Sequence, residues 1–210
     1  MKKDNNLPEI IPIFPLSNFI IFPKTTVPLN IFEPRYLKMV EKVINGNGVL
    51  GMIQSKQMDG EVFEVGCLGK INSHQRTPDG RILINLYGLS RFKINKEINN
   101  DEPFREFSVN YDFFKKDLEQ SSSVNGNLFG KLIENSKKLF ERQSMSLNWS
   151  ELSKLKTSQQ IYTLVMISPF SVSEKQKLLE VPDINNLAET FIEIAKFSFY
   201  EDSKDNNNIQ

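Results

Sequence analysis

Apolar and polar positions follow two different rhythms along the chain. Up to about Phe114, short apolar runs are broken by Pro, Gly and Asn, which predicts strands joined by turns. The strongest hairpin signal is Thr77-Pro78-Asp79-Gly80, where proline fixes φ at the first central turn position and glycine relieves the exit. Past that turn, Ile82, Ile84 and Leu86 alternate with Leu83, Asn85 and Tyr87, the period of a strand. Both faces carry apolar side chains, so this strand is expected to be well buried. Residues 65–74 can pair back on it, with Gly66 and Gly69 marking a bulge or a sharp barrel bend. Residues 91–94 and 107–113 predict further strands.

Helical spacing first appears at Tyr36, Met39, Val40 and Val43, widened by Leu37 and Ile44, while Lys38, Glu41 and Lys42 face outward. Asn45-Gly46-Asn47-Gly48 tolerates positive φ and ends that helix. Residues 119–127 are small and polar and read as a linker. Beyond them the texture is helical. Leu128, Phe129, Leu132, Ile133, Leu139 and Phe140 suit one helix, and Ile161, Leu164 and Val165 another that must stop near Pro169. Ser173 and Gln176 have capping-box spacing for a short helix ending around Pro182. Asp183 can cap a last helix striped by Ile184, Leu187, Ala188, Phe191, Ile194 and Ala195. The fold class is therefore α+β: a β-rich half over residues 1–118, a helical bundle over 128–202 and a disordered tail over 203–210.

Composition narrows the chemistry. The 210 residues carry 26 Lys+Arg and 26 Asp+Glu, so the net charge is zero and nucleic acid gains no basic excess to bind. With Cys67 as the one cysteine, an intrachain disulfide is impossible and a thiolate zinc site lacks ligands. Pro12, Pro15, Pro23, Pro28 and Lys24 interrupt the apolar stretch 10–32, which argues against a membrane span. No secretory leader is evident at the start, and the expected compartment is the cytoplasm.

Glu33-Pro34-Arg35-Tyr36 sets an acid, a cation and a phenol side by side. Pro34 suits the first helical position, and Glu33 places charge at the positive end of the helix dipole, worth about 0.3–1 kcal/mol. An exposed Glu33–Arg35 pair adds only about 0–1 kcal/mol. Burying the stripe that follows yields roughly 1.5–3 kcal/mol per large side chain, so the tetrapeptide is expected to be architectural.

These residues also carry a family resemblance. Residues 14–16 (FPL), 22–23 (FP), 28–36 (PLNIFEPRY), 50–52 (LGM), 65–71 (VGCLGKI), 79–94 (DGRILINLYGLSRFKI) and 174–183 (EKQKLLEVPD) resemble, in order, the Lon N-terminal domain, in a form similar to its stand-alone branches. The resemblance implies a PUA-like pseudo-β-barrel with one inserted helix, followed by a helical bundle, that binds polypeptides without hydrolysing them. It makes Pro15, Leu16, Pro28, Leu29, Phe32, Glu33, Pro34, Arg35, Tyr36, Asp79, Gly80, Gly88 and Arg91 motif positions with structural roles. Asn185 and Asn186 stand where the family often has an Arg, so the ion pair such an Arg would make is missing.

No Walker pattern is present, because Asn45-Gly46-Asn47-Gly48 lacks the lysine that should follow. Ser153-Lys154 is an adjacency whose side chains point apart on a helix. His74 has no companion ligand, Cys67 reads as a small barrel residue, and Trp149 is expected to pack between helices. Glu102-Pro103-Phe104-Arg105 reads as a loop whose Phe can anchor something. The expected function is thus a non-catalytic module without cofactor or metal. Its partners would be unfolded or extended polypeptides, or a protease or chaperone. Phe19, Ile21 and Phe22 are the candidate partner-binding patch, set against a buried strand as the other reading of that run. The alternatives are RNA binding, by analogy with other PUA-like proteins, and a pure assembly adaptor.

Overall fold

A computed structural model describes residues 7–56, 60–119 and 123–205, with side chains described as far as residue 200. The chain forms two compact units, residues 1–118 and 119–210. No helix among the described residues is long and apolar enough to cross a membrane.

The first unit is a six-stranded sheet that closes on itself. Its strands are β1 (Ile10–Leu16), β2 (Thr26–Ile31), β3 (Val49–Ser55), β4 (Val62–Arg76), β5 (Ile82–Ile98) and β6 (Glu106–Asn110), ordered β2-β5-β4-β3-β1-β6, with β6 pairing back on β5. The closed ring is β1-β3-β4-β5-β6. β2 lies along the first half of β5, from Thr26 opposite Tyr87 to Ile31 opposite Ile82, and β6 lies along the second half. Only β1 and β3 run parallel, because β2 and helix α1 (Pro34–Asn45) lie between them in sequence.

Inside the ring, Ile11, Ile13, Val49, Ile53, Leu68, Phe92, Phe107 and Val109 form one buried cluster. The Phe92 ring needs the space at Gly66, where a Cβ would stand 2.6 Å from its Cζ and 2.4 Å from the Met52 carbonyl oxygen. The expected bulge is present in β4 as a register shift between Leu68 and Gly69. The 77–80 turn forms as expected, with Gly80 at φ 87° and the Thr77 N–H donating to the Arg81 carbonyl at 2.9 Å. Arg81 and Thr77 hydrogen-bond the Asp79 carboxyl and hold it down at about 2.

Three expectations change here. The start of β5 is one-sided: Ile82, Ile84 and Leu86 are buried while Leu83 is 42% exposed, because only one face of this ribbon meets the core. The strand expected over 107–113 stops at Asn110, and Asp112–Leu118 winds into a 3₁₀ helix that buries Phe114 and Asp117. In the run Phe19-Ile20-Ile21-Phe22 the last three residues are buried and Phe19 is half-buried, but the run is not a strand. Asn18 and Lys24 adopt positive φ (56° and 64°) on either side of it and fold it into an irregular segment. That segment lies against β5 at Gly88, where a Cβ would stand 2.1 Å from the Phe22 carbonyl oxygen. Lys24 N–H donates to the Gly88 carbonyl at 2.8 Å, and Gly88 N–H to the Thr25 carbonyl at 2.9 Å.

The second unit holds α2 (Gly126–Arg142), α3 (Trp149–Ser153), α4 (Thr157–Ile167), α5 (Val172–Glu180) and α6 (Ile184–Asp205). Residues 120–122 of the expected linker lie outside the described residues. Its end is already helical, since Asn125 caps α2 by accepting from the Asn127 and Leu128 N–H groups. The capping box belongs to Ser171 and Glu174, not to Ser173 and Gln176: Ser171 N–H donates to Glu174 Oε2 at 2.8 Å, and Glu174 N–H to Ser171 Oγ at 3.3 Å. The helix therefore starts earlier and ends at Glu180. Asp183 caps α6 through the Asn185 and Asn186 N–H groups, both at 3.1 Å. Asn185 also accepts from Asn125 N–H and donates to the Ser123 carbonyl, which ties the start of α2 to the start of α6. Trp149 meets Phe140 edge-on at 6.0 Å. Of the expected disordered tail, residues 203–205 continue α6, because each residue added to an existing helix gains a backbone hydrogen bond. Residues 206–210 lie outside the described residues.

Candidate functional site

The first unit carries a cleft of about 470 Å³ built from three segments distant in sequence. One wall is the end of β1, at Pro15, Leu16 and Ser17. The second is the start of α1, with Glu33, Arg35 and Tyr36. The third is the connection from β5 to β6, with Pro103, Phe104 and Arg105, and Ser55 and Gly60 complete the lining.

Local rules position each wall. Pro34 occupies the first turn of α1, while Tyr36, Met39, Val40 and Val43 are buried and fix the rotation of the helix. Glu33 precedes the helix without capping it through its side chain and is held by Arg35, whose Nε and Nη2 lie 3.1 and 2.9 Å from Glu33 Oε2. The Arg35 guanidinium stacks on the Tyr36 ring, 4.6 Å from its centroid, and Phe14 meets that ring edge-on at 4.6 Å. Burial pushes the Tyr36 phenol above its ordinary pKa, with Arg35 acting in the opposite direction, so the phenol is protonated at neutral pH. Its hydroxyl has no hydrogen-bond partner among the described residues.

The loop over 99–105 is braced at both ends. Lys42 on α1 donates to Glu102 at 2.9 Å and to Glu106 at 3.1 Å, and those carboxylates raise its pKa. Arg105 reaches both oxygens of Glu97, at 2.7 and 2.8 Å, holding that carboxyl below its usual range, and also donates to the Gly60 carbonyl. Phe104 is buried, so the anchoring expected of this loop is inward. The charges on the lining are one carboxylate, Glu33, and two guanidiniums, Arg35 and Arg105.

The motif positions thus separate by place. Pro15, Leu16, Glu33, Arg35 and Tyr36 come together at the cleft, so the Glu33–Tyr36 turn both starts a helix and lines a cavity. Pro28 lies exposed on β2, Leu29 is half-buried beside it, and Phe32, just after that strand, is 64% exposed. Asp79 and Gly80 sit at the hairpin tip. Gly88 and Arg91 are internal: Arg91 Nε and Nη2 donate to Asp117 at 2.9 and 2.8 Å, its backbone N–H adds a third bond at 2.9 Å, and its guanidinium stacks 4.3 Å above the Phe114 ring. Asp117 is not legible in the sequence as a partner, because an Asp directly after two lysines in DFFKKDL reads as surface.

The expected partner patch needs correction. Ile21 and Phe22 are 1% and 0% exposed, packed beneath the turn that Gly88 accommodates, so neither side chain can meet a partner. Phe19 is half-buried. Ser153 Oγ donates to the Ser150 carbonyl while Lys154 pairs with Glu151, so the two form no dyad. His74 is exposed, and no group of three metal-ligating side chains occurs among the described residues. Cys67 is fully buried and its thiol is pushed well up by desolvation, which disfavours the reactive thiolate. In the folded protein, Cys67 is expected to resist a thiol-reactive disulfide reagent at neutral pH and to react fully in denaturant. Absorbance of the released chromophore checks this.

Residues 10–196 match the family of the ATP-dependent protease La (LON) substrate-binding domain. The chain is 25% identical over 190 residues to a Lon protease of Cytophaga hutchinsonii, covering 84% of this chain and 22% of that protein. With a Lon protease of Desulfosudis oleivorans the identity is 27% over 192 residues, covering 86% of this chain and 23% of that one. The chain therefore spans about a quarter of the length of these curated relatives. Among solved structures, a Lon N-terminal domain protein from Xanthomonas campestris superimposes with a TM-score of 0.63 at 22% identity, covering 87% of this chain and 96% of the other. The N-terminal domain of a Mycobacterium avium complex Lon protease gives 0.63 at 15% identity, covering 89% and 98%. These likenesses share the α+β architecture, and the match over residues 10–196 establishes that the chain belongs to the LON substrate-binding domain family.

Proposed function

We propose that this chain is a non-catalytic polypeptide-binding module whose ligand seats in the cleft of the first unit. The observation that carries the reading is the convergence of Pro15, Leu16, Glu33, Arg35 and Tyr36 with Pro103–Arg105 around one cavity. Ligand sites commonly combine apolar walls with a few placed polar groups, and this cleft has both. The family match to a substrate-binding domain supplies the class of ligand.

A titration of a dye-labelled, reduced and alkylated polypeptide, followed by fluorescence anisotropy, tests the reading. Saturable binding is expected, weakened about fivefold or more by Pro103→Asp, since Pro103 is exposed on the cleft wall and its replacement leaves the core intact. Unchanged binding by that variant would remove the cleft from the interaction. The purified chain is expected to leave the polypeptide intact on prolonged incubation, and release of fragments would overturn the non-catalytic assignment.

A further inference from the structure

We propose that Lys42 positions a wall of the cleft from outside it, latching the loop over 99–105 to α1 and so setting how tightly the cleft holds a polypeptide. This rests on the reading of the cleft as a polypeptide site and adds what regulates it.

Two walls of the cleft come from distant parts of the sequence: Glu33, Arg35 and Tyr36 at the start of α1, and Pro103, Phe104 and Arg105 in the loop. The charges on the lining are neutralised within their own walls. Arg35 pairs with Glu33 two residues away, and Arg105 pairs with Glu97 on the strand that leads into the loop. Lys42 crosses between the walls instead. Its ammonium bonds Glu102 at 2.9 Å and Glu106 at 3.1 Å, and lies 5.4 Å from the centroid of the Phe104 ring. Among the described residues, these are the ion pairs that join α1 to the loop.

The loop has room to shift. A second hollow of about 330 Å³, lined by Asn99, Asn100 and Glu102, shares Pro103, Phe104 and Arg105 with the cleft, so these three residues form a partition between two spaces. The ends of the partition are held differently. At Arg105 the backbone carbonyl accepts from the Ile13 N–H of β1 at 3.0 Å. At Glu102 the backbone N–H donates to Asn100 Oδ1 at 3.0 Å, a bond within the loop itself, and the tie to α1 is Lys42. Without that ammonium, two carboxylates that shared it face each other and repel. The Lys42, Glu102 and Glu106 side chains are 50%, 37% and 16% exposed, so dissolved salt weakens the latch.

The test titrates the full 210-residue chain with a dye-labelled polypeptide of Leu, Ala, Ser and Gly, which carries no charged side chains. Lys42→Met is expected to weaken binding about threefold with the unfolding temperature unchanged, the scale of a small exposed ion-pair network. Lys42→Arg keeps the charge and should restore the affinity. In the same Lys42→Met protein, hydrogen exchange of the Glu102 amide should accelerate while that of Ile13 does not, since the β1 end of the loop stays fixed. Raising sodium chloride to about 1 M should erase the difference in affinity between the parent chain and Lys42→Met, because an exposed pair is largely screened there. A Lys42→Met protein that binds as tightly as the parent at low salt, while Pro103→Asp binds more weakly, overturns the proposal and leaves the cleft reading intact. An affinity difference that persists unchanged at high salt also overturns it. If Pro103→Asp binds like the parent as well, it is the cleft reading that falls.

Discussion

Phe22→Asp is expected to unfold the first unit rather than to weaken binding on a folded surface. Phe22 is fully buried, and truncating such a side chain to Ala alone removes about 3–5 kcal/mol. An aspartate adds an uncompensated charge in the same place, against a total stability of about 5–15 kcal/mol for a domain. The backbone offers no retreat. The Phe22 carbonyl accepts from Thr25 Oγ1 at 2.6 Å and sits tight against Gly88, whose neighbours pair with β2 and β4. Hydrogen exchange of β4 and β5 amides should collapse to unprotected rates while α2 and α6 stay protected. Native-like protection in β5 would show that this side chain is not part of the core.

Asp117→Ala is expected to destabilise the first unit by about 3–5 kcal/mol, the effect of leaving a buried guanidinium without its counter-charge. Both side chains of the pair are 4% exposed, so water cannot take the place of the lost carboxylate. The double variant Arg91→Met/Asp117→Leu should recover part of the loss, because two apolar groups need no desolvation. Recovery stays incomplete, since the Arg91 backbone N–H also loses its acceptor, worth about 1–3 kcal/mol. The single tryptophan, Trp149, lies in the second unit, so β5 amide exchange in urea is the appropriate readout. A double variant no more stable than Asp117→Ala would mean that the pair contributes more than a well-packed apolar replacement.

Local rules made much of this fold legible. Pro34 and the stripe behind it placed α1, the Pro78-Asp79-Gly80 turn placed the β4–β5 hairpin, and Asp183 placed the start of α6. Where two signals of equal form competed, the chain could not decide alone. Ser171/Glu174 and Ser173/Gln176 share one spacing, and only the closing geometry of the Glu174 carboxylate separates them. Phe19-Ile20-Ile21-Phe22 was legible as apolar but not as interior coil, since that depends on Gly88 lying opposite it. The cleft was the least legible part. Tyr36 and Arg105 meet only because the ring closes, and no short window contains both.

That closure also sets a timetable for biosynthesis. β1 lies between β3 and β6, with Ile11 opposite Phe107, so β1 must wait for the last strand of the sheet before its second edge is covered. On a ribosome, the nascent amino-terminal segment stays open-edged until the end of the unit has emerged from the exit tunnel. Such distant pairing slows the search for the native state and makes the half-made chain itself something that cellular helpers must shield.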